Sequence, residues 1–252
     1  DDFFSCFFSD AMFHRTFDKF VAVKHGIAEK TAEEIFAHWE AFADYGFNKS
    51  HATNYGIMAV KTGYLKYRYP VEYMTALLSA WKNDTDKIAM YVAECREMGV
   101  DVLPPDVNSS AYDFSIADRP DGTAAIRFGL GAIKNVGQAP VDEILLGRGS
   151  KSFASIDDFA RRVDLRKVSK RPMECLVKVG ALDDLGERGS ILGSIEQIVN
   201  LSASHFKAKE SGQMDLFGGA MVEEQGVIVL PFQAGMSKTD QLEWEKELLG
   251  LY

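Results

Sequence analysis

Apolar positions at helical spacing run through the first hundred residues, and Gly and Pro set the breaks between them. In "TAEEIFAHWEAFADYG", Ile35, Phe36, Trp39 and Phe42 recur on one helical face. Thr31 with Glu34 three residues on has capping-box spacing, and Gly46 closes the element. A second helix is predicted over "SHATNYGIMAVKTGYLKYRYP", opening at Ser50 and stopped by Pro70. "VEYMTALLSAW" and "DTDKIAMYVAECREMG" read as two more helices, the last closed by Gly99.

The pattern changes near residue 105, where Pro104 and Pro105 break the helical run. "YDFSIA" and "TAAIRFG" flank "DRPDG", with Pro and Gly in turn positions, and predict a β-hairpin. Helical spacing returns from about residue 130 to 200. "SASHFKAKESGQMDLFGGAMVEEQG" is then polar and Gly-rich around one apolar island, which predicts a flexible linker carrying a short motif. "KTDQLEWEKELLGLY" predicts a last helix.

Composition narrows the class. The chain has 252 residues, 46% hydrophobic and 26% charged, as a globular protein does. It holds no apolar run of membrane-spanning length, and the apolar start, "DDFFSCFFSDAMF", lacks the basic region of a signal peptide. We expect the chain to begin and end inside a longer protein. Cys6, Cys95 and Cys175 have neither metal-site nor disulfide spacing and are expected as buried thiols in a reducing cytoplasm, with no membrane partner.

A net charge of −9 argues against a protein that holds nucleic acid by bulk charge. The distribution is uneven, however. Lys49, Lys61, Lys66 and Arg68 fall in a stretch without an acid. Arg161, Arg162, Arg166, Lys167, Lys170, Arg171 and Lys178 face only Asp164 and Glu174 over residues 161–178. Both stretches are expected as local positive patches.

Three motifs carry candidate chemistry. In "FNKSH", Ser50 is a candidate N-cap, with Lys49 and His51 adding donors at a helix mouth that favours anions. Tyr55 shares a face with His51. That set suits a nucleotide triphosphate; an ordinary cap with solvated side chains fits the same spacing. "LGAIKNVGQAPVDEIL" has the pattern of a helix-hairpin-helix element: Ile133, the tight turn "KNVG", then a helix opened near Pro140 with Val141, Ile144 and Leu145 inward. Its hairpin would hold a DNA phosphate by backbone N–H groups, with Asn135 in the left-handed position. "LVKVGALDDLGERGSIL" is a second copy whose longer hairpin carries Asp183 and Asp184, so it is expected to pack more than bind. A plain helical corner is the alternative for both. In "QMDLF", Gln213, Leu216 and Phe217 form a short linear motif, or a linker with two stray hydrophobes. No Asp pair stands in the setting of a two-metal site, and no phosphate-loop or hydrolase motif is present.

Taken in order, "FADYGFNKSHATNYGIMAVKTGYLKYRYPVEYMTALLSA", "GVDVLPPDVNSS", "RFGLGAIKNVG", "LVKVGALDDLG", "GQMDLFG" and "EWEKELLGLY" resemble the bacterial replicative DNA polymerases, the DNA polymerase III alpha subunits. The resemblance runs from about residue 17 to 252. It implies a DNA-directed DNA polymerase as the whole protein. Its Mg²⁺ ions are held by palm carboxylates outside this stretch, and its partners are primer–template DNA, dNTP, the sliding clamp and other replicase subunits. It implies that Lys49, Ser50 and His51, with Tyr45 and Tyr55, lie by the incoming nucleotide. Lys134, Asn135, Val136 and Gly137 face the duplex backbone, and Gln213, Leu216 and Phe217 dock in the clamp, a tether that raises effective concentration. The implied fold is mainly α: distal fingers over 1–105, a connector with a β-hairpin over 106–128 and a tandem helix-hairpin-helix bundle over 129–200. A flexible clamp-binding tail over 201–235 and the start of the following domain over 236–252 complete it. A non-catalytic DNA- and clamp-binding module and an error-prone paralogue are the alternatives, although the intact "QMDLF" speaks against the second.

Overall fold

The computed structural model describes residues 22–45, 49–210, 230 and 237–251, with side chains except those of 40–45 and 49. The fold is mainly helical, with one small sheet among the described residues, and it divides into two compact units, Asp1–Tyr64 and Leu65–Tyr252.

The first unit holds helix α1 (Glu29–Tyr45) and most of helix α2 (Lys49–Arg68). Helix α1 starts two residues before Thr31, which therefore lies inside the first turn and not at the cap. Glu29 and Lys30 are good helix formers, and Gly26, at φ 88°, makes the break just upstream. Ser50 likewise falls inside the first turn of α2. Ala32 is buried, and the rings of Phe36 and Trp39 meet edge to face at 5.3 Å, but Ile35 and Trp39 remain exposed. Among the described side chains of the α1 stripe, Ile35 and Trp39 are thus exposed and Phe36 is half-buried.

The second unit has a continuous core. Pro70 pre-sets the first turn of helix α3 (Pro70–Ala80), whose Met74 and Leu78, four apart, are fully buried. Asp84 caps helix α4 (Thr85–Glu97) by accepting from the Lys87 N–H at 3.0 Å. Ile88, Val92 and Cys95 form its inner face. Gly99, at φ 73°, ends it, with the Val100 N–H donating back to the Cys95 carbonyl. Burial of each such side chain is worth roughly 1.5–3 kcal/mol.

The predicted hairpin forms strands β2 (Ser115–Asp118) and β3 (Ala124–Arg127), antiparallel, with the Arg119 N–H donating to the Thr123 carbonyl across the turn. A two-residue strand, β1 (Val102–Leu103), adds parallel to β3, giving the order β1-β3-β2. Two residues ahead of Pro-Pro are too short for alternation to show, so sequence reading misses it.

A short 3-10 turn (Leu130–Ala132) then leads to helices α5 (Gln138–Arg148), α6 (Ile156–Arg162), α7 (Leu165–Val168) and α8 (Lys170–Lys178). Helices α9 (Arg188–Gly193), α10 (Ile195–Glu210) and α11 (Lys238–Leu249) follow. Phe128, Leu130, Ile133, Ile144, Phe159, Met173 and Leu176 pack one core with α3 and α4. Helix α10 overruns the expected start of the linker by ten residues, to Glu210. The reason is Ser202, which is fully buried and ties α10 to the α6–α7 corner: its Oγ donates to the Val163 carbonyl (2.7 Å) and accepts from the Leu165 N–H (3.0 Å). The last helix, α11, buries Leu248 and Leu249 in this same core.

Candidate nucleic-acid interface

Residues 133–137 form a hairpin between the 3-10 turn and α5. Ile133 and Val136 are buried and pin it from below. The Val136 N–H closes the turn on the Ile133 carbonyl at 3.0 Å, and the Lys134 N–H donates to the Leu248 carbonyl of α11 at 3.0 Å. Asn135 takes the left-handed conformation expected of it, at φ 67°. Its side-chain amide lies 3.9 Å from the Cys175 sulfur on α8.

The upper side of this hairpin is open. Gly137 is the N-cap of α5 and supplies no side chain to it, and a methyl group added there would meet nothing within 4 Å. Among the described residues no acceptor meets the N–H groups of Asn135, Gly137, Gln138 or Ala139. Pro140, in the first turn, has no N–H to satisfy. Lys134 is exposed, with no acidic partner among the described residues. Free N–H groups, a helix N-terminus and one cation can hold a phosphate oxygen without reading a base. Val136, expected to face the duplex, is buried and its N–H is engaged within the turn, so it anchors the hairpin.

The second hairpin is closed by the protein itself. Gly180 holds φ 79°, and a methyl group there would stand 2.2 Å from Arg188 Nη2. Arg188 pairs with Asp183 (2.9 Å) and Glu245 (2.8 Å) and donates to the Lys178 carbonyl (3.1 Å). Leu182 and Leu185 are buried. This copy packs, as the Asp pair suggested.

The basic stretch over 161–178 is not the patch its composition suggests. Arg161 pairs with Asp157, Arg162 with Asp158, Arg166 with Asp164 and Glu210, Lys167 with Glu143 and Lys170 with Glu196. Arg162 also donates to the carbonyls of Arg148 (2.7 Å) and Lys151 (2.6 Å), holding the end of α5. The guanidinium of Arg166 holds the buried Asp164 carboxyl below the usual carboxylate range. Lys178 lies over the Trp244 ring at 5.2 Å. Five of the seven bases are therefore matched by acids within the fold.

In α2, the rings of His51 and Tyr55 lie 4.4 Å apart, and both residues are exposed, as is Ser50. Lys61 is exposed, whereas Lys66 pairs with Glu94. The side chains of Tyr45 and Lys49, and all of Gln213, Leu216 and Phe217, lie outside the described residues. Cys95 and Cys175 are buried free thiols; burial pushes Cys95 up to about 11. Among the described residues no group of three His, Cys, Asp or Glu could hold a metal ion, and no helix is long and apolar enough to cross a membrane.

Residues 99–191 match the family described as "Helix-hairpin-helix motif", and they enclose both hairpins. Over that stretch the chain is similar to helix-hairpin-helix motifs. Its relatives are more specific. It is 41% identical over 232 residues to the DNA polymerase III subunit alpha of Thermus aquaticus, covering 92% of this chain and 18% of that protein. To the subunit of the same name from Vibrio cholerae it is 41% identical over 237 residues, covering 92% of this chain and 20% of the relative. For that of Escherichia coli K12 the identity is 38% over 235 residues, covering 92% and 20%. The chain is homologous to a segment of the DNA polymerase III alpha subunits, and it spans about a fifth of the length of these relatives.

Proposed function

We propose that this chain is part of a template-directed DNA polymerase that adds dNTPs to a primer 3′ end, and that its own share of the work is to hold nucleic acid and nucleotide. The open hairpin carries this reading: among the described residues the N–H groups of Asn135, Gly137, Gln138 and Ala139 meet no acceptor, next to exposed Lys134, on a chain whose relatives are named for a polymerase. The hairpin grips the backbone of the duplex, with Val136 as its anchor.

Lys49, Ser50 and His51 at the mouth of α2, with Tyr45 and Tyr55, neutralise and line the triphosphate of the incoming dNTP. Gln213, Leu216 and Phe217 tether the protein to the sliding clamp, and other replicase subunits join it in the cytoplasm. The Mg²⁺ ions that such a reaction uses are held by carboxylates outside this chain.

The test is equilibrium binding to two duplexes of unrelated sequence. Lys134→Gln is expected to weaken both equally, because a backbone contact carries no sequence information. A loss confined to one sequence, or no loss, contradicts the reading.

A further inference from the structure

Of the seven bases over 161–178, five are neutralised by acids and Lys178 rests on Trp244. Arg171 alone has no partner among the described residues, and it is exposed. Helix stability does not explain it. It sits in the first turn of α8, which holds no acid, and a cation at that end opposes the helix dipole. Its neighbour Lys170, in the same turn, is matched by Glu196 at 2.9 Å.

Position supplies the explanation. Arg171 is one turn before Cys175, and Lys178 is nearly one turn after it, so the three share a face of α8. Cys175 is the residue on which the amide of Asn135 rests. Burial raises the Cys175 thiol pKa, and the Asn135 contact, Lys178 and Arg171 act against that rise, while Glu174 adds to it. Helix α11 closes the arrangement: it presents Trp244 to Lys178 and the Leu248 carbonyl to the Lys134 N–H. Hairpin, α8 and α11 therefore converge, with Lys134 on one side of Asn135 and Arg171 on the other element it touches.

We infer that Arg171 binds a second phosphate of the same nucleic-acid strand, extending the hairpin's backbone grip onto α8. The inference rests on the reading of the hairpin as a duplex-backbone site. Successive phosphates repeat along a strand, so a cation beside a phosphate-binding hairpin meets the neighbouring phosphate, as a point charge or as a planar fork. The role is electrostatic and blind to sequence.

The experiment is duplex binding by the whole chain, measured by fluorescence anisotropy across a salt series. The proteins compared are wild type, Arg171→Gln, Arg171→Lys, Lys170→Gln and Lys134→Gln, with thermal unfolding recorded for each. Each lost phosphate contact lowers the slope of log K against log salt by about 0.9. Arg171→Gln is expected to weaken binding and flatten the slope by about that amount. Arg171→Lys keeps the slope, and Lys170→Gln leaves it near wild type. If Lys134→Gln flattens the slope and Arg171→Gln does not, the inference fails and the hairpin reading stands. Equal effects of Lys170→Gln and Arg171→Gln reduce the result to general charge and also overturn it. If neither Lys134→Gln nor Arg171→Gln matters, or the wild type binds no duplex, the hairpin reading falls and the inference with it.

Discussion

Asn135 and Ser169 hold left-handed backbone without being glycine, at φ 67° and 65°. Asn135 was legible from the sequence, because the hairpin spacing places a left-handed residue there and Asn tolerates it. The difference between the two hairpins was less so. Both carry the pattern, but one is open at Gly137 and the other is filled by Arg188, reaching to Glu245 fifty-seven residues on. A separation of that size leaves no local signal. The contrast sets the expected effect of two glycine changes. Gly137→Ala adds a methyl to open space, at a φ of −81° that any residue adopts, and is expected to change stability little. Gly180→Ala adds one against Arg188 at φ 79° and is expected to cost at least about 1–2 kcal/mol from backbone strain alone. Urea unfolding of the two variants checks this; equal midpoints would contradict it.

At the scale of elements, local pairs were readable and distant ones were not. Asp157–Arg161 and Asp158–Arg162 stand four apart on α6, and their spacing announces them. Lys167–Glu143, Lys170–Glu196 and Arg166–Glu210 span 24, 26 and 44 residues, so a stretch that reads as a basic patch folds into a neutralised surface. The overrun of α10 has the same origin: Ser202 looks like linker composition, and only its burial against the α6–α7 corner makes it helix. The clamp of Arg166 on Asp164 yields a pH dependence. Asp164 is depressed in the folded state, chiefly by its hydrogen bonds from Arg166, so its contribution is complete above the ordinary carboxylate pKa. That contribution is lost as pH falls through the lower folded value. Stability of the wild type is therefore expected to drop below about pH 4, and more steeply than that of Asp164→Asn, when urea midpoints are followed with pH. Parallel curves would show that the pair carries no linkage.

For the molecule as a whole, helix class, the β-hairpin and the order of segments were visible in the sequence, because period and breakers are local signals. The core is not local. It runs from Met74 on α3 across Pro104–Pro105 to Leu249 on α11, so the change of element type at those prolines is not a break in packing. Charge follows the same rule. A net charge of −9 does not oppose the proposed grip on a phosphate backbone: over 161–178 internal pairs cancel five of the seven bases, and Lys134 stays exposed beside the open N–H groups of its hairpin. The most direct test of this account is an amide NMR titration of the chain with a short duplex DNA. The expected result is that the N–H signals of Asn135, Gly137, Gln138 and Ala139 shift together, while those of Gly180 to Asp183 stay in place. Shifts confined to the second hairpin, or none at the first, would contradict it.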